Sequence, residues 1–125
     1  MKYSIYPGLI VWVPAKDSDG NEDVRPGLVF KMLNHPMGGI CLLVLMISTS
    51  PPVPQFDFHI QVHNTNAADQ YTGLYAPCWA KCNWVRVVQI SDLAGRCGDM
   101  PDDLFDQIAA AYDRIATRTN FDHWI

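Results

Sequence analysis

A chain of 125 residues, 49% apolar and 18% charged, is long enough to bury one hydrophobic core and lacks the low hydrophobicity and high net charge of a disordered polypeptide. A formal charge of −4, from nine Lys and Arg against thirteen Asp and Glu, excludes strong non-specific attraction to nucleic acid, which comes from cations neutralising phosphates. The N-terminus has no secretory apolar region, and the run from Leu9 to Val13 is far too short to span a bilayer, so the expectation is one cytoplasmic domain without membrane contact.

In chain order, Leu9 to Val13 is the first predicted strand, followed by the turn cluster Asp17-Ser18-Asp19-Gly20-Asn21. Gly27 to Leu33 is the second, and Asn34-His35-Pro36-Met37-Gly38-Gly39 turns the chain into a third, Ile40 to Ile47, which holds Cys41 in an apolar run. A proline-rich break, Pro51-Pro52-Val53-Pro54, precedes a fourth strand from Phe56 to Val62, and the turn Asn64-Thr65-Asn66 follows it. Trp84 to Ile90 is the fifth. The short gaps leave no room for helical crossovers, so the sheet should be mainly antiparallel and curl into a small barrel. Near the end the period changes. Leu104, Ile108, Ala111 and Ile115, widened by Phe105 and Tyr112, form one apolar stripe and predict a helix from about Pro101 to about Thr117, with Asp99 as candidate cap and Asp102 and Asp103 favourably placed in its first turn. The apolar tail Asn120 to Ile125 is expected to pack on the barrel.

The four cysteines, 41, 78, 82 and 97, are expected as reduced thiols, with Cys78 and Cys82 in packing or loop positions. His59 and His63 stand four apart, but in a strand their Cα atoms would lie about 13 Å apart, too far to share one ion. Cys78-Trp79-Ala80-Lys81-Cys82 has no second knuckle. No metal and no cofactor is expected.

Several short segments in a fixed order carry a family resemblance. The opening Pro7-Gly8-Leu9-Ile10-Val11-Trp12-Val13, the loop Gly20-Asn21-Glu22-Asp23-Val24-Arg25-Pro26, and the strand Gly27-Leu28-Val29-Phe30 resemble the N-terminal half of MazF/PemK toxins. Met46-Ile47-Ser48-Thr49-Ser50 is similar to that family's apolar strand ending in hydroxyl residues. Trp84-Val85-Arg86-Val87-Val88 is similar to its later strand with a central arginine, although the acid and glutamine that often precede that arginine are absent, and Gly98 precedes the helix. The resemblance covers nearly the whole chain and implies an SH3-like small β-barrel with a C-terminal helix.

It also implies an activity: metal-independent, sequence-specific cleavage of single-stranded RNA by the toxin of a type II toxin–antitoxin pair, acting as a homodimer and neutralised by a cognate antitoxin through an acidic or amphipathic segment. By the same resemblance Arg25 and either Ser48 or Thr49 are the catalytic candidates. The RNA 2′-hydroxyl attacks its own phosphate, so the protein must orient the chain and stabilise phosphorane charge, a task suited to a planar guanidinium. The products would be a 2′,3′-cyclic phosphate and a 5′-hydroxyl. Arg86 is a second candidate phosphate contact. Glu22, Trp79 and His35 complete the candidate RNA-binding set, and His35 is also a weak candidate for general base. Competing structural roles are an Arg25 ion pair with Glu22 or Asp23, local turn hydrogen bonds for Ser48 and Thr49, a solvent-facing Arg86, and core packing for Trp12, Trp79 and Trp84. The rival function is a catalytically inactive SH3-like module that binds protein.

Overall fold

The structure is a computed structural model and describes residues 4–16, 20, 22–34, 37–49, 59–62, 72–74 and 78–119. Six strands and one helix follow one another: β1 (Leu9–Lys16), β2 (Glu22–Asn34), β3 (Ile40–Ser48), β4 (His59–Val62), β5 (Cys78–Gln89), β6 (Gly95–Asp99) and α1 (Asp102–Thr119). They form one antiparallel sheet in the order β4-β5-β3-β2-β1-β6. β3 lies between two long neighbours and is buried from Cys41 to Ser48, which explains its unbroken apolar sequence: both of its faces meet protein.

The sheet curls. Arg86 on β5 donates from Nη1 to the Pro14 carbonyl on β1 at 3.0 Å, although β3 and β2 separate these strands in the sheet order. Three flat inter-strand steps would span about 14 Å, beyond any side chain's reach, so the sheet must bend to bring β5 and β1 together. Pairing of β1 with both β2 and β6 ties the first strand to the last, giving a half-barrel.

Alternation along the strands makes two cores. On one face Ile10, Leu28, Phe30, Leu43, Leu45 and Ile47 pack against Ile108, Ala111, Tyr112 and Ile115 of α1. The Phe30 ring lies 4.8 Å from that of Tyr112 and 5.8 Å from that of Phe105. The opposite face gathers Leu9, Val11, Val13, Val29, Leu42, Val44, Met46 and Val88, bordered by Trp84, Ile90 and Leu93. The apolar helix stripe is therefore the seam between α1 and the sheet.

Several expectations need correction. β2 begins at Glu22, so the segment read as a loop up to Pro26 is largely strand. β5 begins at Cys78, where Cys78, Ala80 and Cys82 are buried at every second position, the period of a strand and not of a loop. β6, with Gly95 and Gly98 among polar residues, carries no apolar run and was not predicted. Asp99 does not cap the helix: it ends β6 and takes hydrogen bonds from Tyr6 and Arg96. The helix starts at Asp102 and runs to Thr119, two residues beyond the expected end. Only His59–Val62 of the fourth predicted strand is described, and the tail 120–125, His35 and His63 lie outside the described residues.

Candidate functional site

The site arises where β2 and β3 part. β2 pairs with β1 as far as Lys16↔Glu22, but its pairing with β3 starts only at Gly27↔Met46. Among the described residues Glu22 to Pro26 thus have one edge without a paired strand, which also explains how a strand tolerates Pro26, since proline belongs at edges. Gly27 stands at the fork because a Cβ there would lie 2.4 Å from Val44 Cγ1 and 3.2 Å from Val13 Cγ2. The last paired residue of β2 must be small for the three strands to close beneath the opening.

Arg25 lies two residues beyond the last pair, Gly27↔Met46, on β2 and Ser48 two residues beyond it on β3, with Val24 and Thr49 one residue further. The divergence opens a cavity of about 320 Å³ that Arg25, Ser48 and Thr49 all line, together with Asp23. Trp12, Ile47, Leu74 and Cys78 supply its apolar wall. Ser48 ends β3 and is buried, whereas Thr49 lies in the following bend and is exposed. Regular strand alternation therefore stops short of Thr49.

The electrostatics favour an anion. The guanidinium of Arg25 lies 5.8 Å from the centre of the Trp84 ring and forms no ion pair with Glu22 or Asp23. Asp23 instead accepts a hydrogen bond at Oδ1 from the Val24 N–H, 2.8 Å away. Burial pushes the Cys78 thiol up from its ordinary pKa, so the wall carries a neutral thiol and not a thiolate facing the cation. An arginine whose donors are not consumed by Glu22 or Asp23, beside two hydroxyls in a cleft of nucleotide scale, can bind a phosphodiester.

The other candidates fall into two groups. Glu22 and Arg86 border a second cavity of about 520 Å³ with Pro14 and Ala15. Adjacent Glu22 and Asp23 thus line different cavities. Arg86 is half-buried and anchored to the Pro14 carbonyl, so it is not a freely solvated residue. Trp79 pairs through its backbone with Ser48 at the margin of the first cavity without lining it. His59 is buried on β4, where loss of solvent and nearby Lys81 lower its pKa against the opposing effect of an Asn83 hydrogen bond. Among the described residues no group of His, Cys, Asp or Glu is arranged to hold a metal ion.

Sequence reasoning missed Asp23, Leu74 and Cys78 as cavity residues and Trp84 as the partner of Arg25. Leu74 reaches the cavity from a short segment that is docked on β6 through a Cys97 Sγ to Thr72 carbonyl contact of 3.3 Å. Gly73 in this segment has φ +71°, and a Cβ there would sit 2.0 Å from the Cys97 carbonyl oxygen. No local pattern in the sequence announces that contact.

A curled antiparallel half-barrel with one C-terminal helix and an arginine-lined cavity at a strand fork defines the class, a small β-domain of the half-barrel type. The family model of the PemK-like, MazF-like toxin of type II toxin–antitoxin systems matches residues 6–115, and the chain belongs to that family. No curated protein sequence matches it significantly. Among solved structures, the MazE–MazF complex of Deinococcus radiodurans is similar at TM-score 0.66 and 13% identity, covering 92% of this chain and 98% of that one. The Mycobacterium tuberculosis toxin MazF-mt6 is similar at TM-score 0.57 and 17% identity, covering 83% and 93%. A mycobacterial endoribonuclease in complex with its cognate antitoxin matches at TM-score 0.61 and 10% identity, covering 94% and 97%. At these identities the structural matches establish a shared fold. No helix among the described residues is long and apolar enough to cross a membrane.

Proposed function

We propose that this toxin cleaves single-stranded RNA by metal-independent transesterification in the Arg25 cavity. The observation that supports the reading is the convergence on one cavity of Arg25 from β2, Ser48 from the end of β3 and Thr49 from the bend after it. Arg25 holds the scissile phosphate through its fork of donors, and a hydroxyl from the end of β3 adds a hydrogen bond to the charge that builds on phosphorus. The 2′-oxygen–phosphorus bond forms as the phosphorus–5′-oxygen bond breaks. One proton leaves the 2′-hydroxyl and one reaches the 5′-oxygen, so the products are a 2′,3′-cyclic phosphate and a 5′-hydroxyl. Glu22 and Arg86 extend the RNA path into the second cavity, Trp79 borders the first, and the protein works in the cytoplasm as a homodimer restrained by a cognate antitoxin.

The test is cleavage of defined single-stranded RNA by purified protein, with end-group analysis of the products. Cleavage should persist in EDTA, because the nucleophile belongs to the RNA and needs no metal-bound water. Activity abolished by EDTA and restored by zinc would overturn the mechanism, and intact RNA under all conditions would overturn the function.

Position separates the two hydroxyls. Since Ser48 is the buried end of β3, two residues beyond the fork as Arg25 is on β2, while Thr49 lies in the exposed bend, Ser48→Ala should slow cleavage by about tenfold or more, the loss of one transition-state hydrogen bond. Thr49→Ala should stay near the parent rate. Single-turnover rates on one oligonucleotide decide, and the reverse order would show that the bend, not the strand, presents the active hydroxyl.

A further inference from the structure

We infer that Trp84 is a positioning residue for Arg25, an inference that rests on the function proposed above. Among the described residues the contact that engages the Arg25 guanidinium is the indole face of Trp84, with Cζ 5.8 Å from the ring centre. A guanidinium has five N–H donors, and attraction to a π face draws on its charge without spending them on an oxygen acceptor. Asp23, next but one along the strand, would consume those donors in an ion pair, but its Oδ1 accepts the Val24 N–H instead. Trp84 therefore restrains the cation while leaving its phosphate-binding fork available.

The ring is itself held by an irregularity in β5. Leu45 pairs with Val85, but Ile47 pairs with Ala80, so Lys81 to Trp84 are four residues set against Met46 alone. Such an insertion bends a strand and re-aims its side chains. Trp84 closes the insertion, half-buried against the second core. β5 thus runs regularly along β4, breaks step, and presents an indole to β2 before resuming its pairing with β3.

A residue that merely fills space and one that attracts a cation differ in their response to ring electronics. Fluorine atoms added to tryptophan withdraw charge from the π face while nearly preserving its shape, so site-specific 5-fluoro-, 5,7-difluoro- and 5,6,7-trifluorotryptophan at position 84 should lower kcat stepwise with little change in KM. Trp84→Leu should lose roughly tenfold in kcat, and Trp84→Phe should recover part of it. A second readout needs no RNA: the Arg25 Hε resonance, displaced by the indole ring current, should move toward its free-solution position in Trp84→Leu. A flat fluorination series in a protein whose parent cleaves RNA overturns the positioning role and leaves the proposed function standing. An unmoved Arg25 resonance overturns the contact itself. A parent that cleaves no RNA overturns the function, and the catalytic part of this inference falls with it, whatever the resonance shows.

Discussion

Arg25→Ala should slow RNA cleavage by roughly 100-fold or more while leaving the fold intact, the loss expected when one donor group is removed from a site that stabilises developing charge. The fold should survive because Arg25 is half-buried on the stretch of β2 beyond its pairing with β3, makes no ion pair among the described residues, and contributes to neither core. Arg25→Lys should fall between the two, since an ammonium keeps the charge but not the planar fork that matches phosphate oxygens. Single-turnover cleavage with circular dichroism on the same preparations checks both points. A folded Arg25→Ala protein that cuts at the parent rate would remove Arg25 from the mechanism.

The second large effect concerns stability. Gly73 is in the left-handed region at φ +71°, and an alanine Cβ there would meet the Cys97 carbonyl oxygen at 2.0 Å and the Cys97 carbonyl carbon at 2.9 Å. Both are backbone atoms of β6, so no side chain can swing aside. Strain and forced displacement together should cost Gly73→Ala about 3 kcal/mol. The melting temperature should drop by on the order of 10 °C. Gly39 is the control: its φ is +83° but nothing lies within 4 Å of a Cβ, so Gly39→Ala should cost only about 1 kcal/mol of backbone strain. Equal melting temperatures for the two variants would show that the Gly73 segment does not dock on β6.

What could be read from the residues followed the strength of the local pattern. Leu9 to Val13, Ile40 to Ile47 and the helix stripe around Ile108 and Tyr112 are dense apolar signals at the right period, and each became core. The start of β2 was hidden by Glu22, Asp23 and Pro26, residues that favour turns and persist in a strand here because no described strand pairs with its second edge. β6 was hidden by its glycines, since strand signals come from side chains that pack and β6 offers few. The site divides in the same way. Arg25, Ser48 and Thr49 were nominated by resemblance, but their meeting depends on a register that no local pattern contains. Trp84 was legible as an aromatic strand residue. Its place over Arg25 required an insertion in β5 that only the fold reveals.

The docking of the Leu74 segment on β6 has a consequence for the order in which the molecule is made. Arg25 and Ser48 leave the ribosome early, within the first half of the chain, whereas the strand that carries Cys97 follows much later. Leu74 lines the cavity, and the Thr72 carbonyl accepts a contact from Cys97, so this docking of the segment forms only once β6 has been synthesised and has paired with β1. At translation rates of about 5–20 residues per second, this interval lasts seconds. A nascent chain therefore presents its arginine and serine beside an unfinished cleft, and the cavity acquires its full lining only after nearly the whole toxin has emerged.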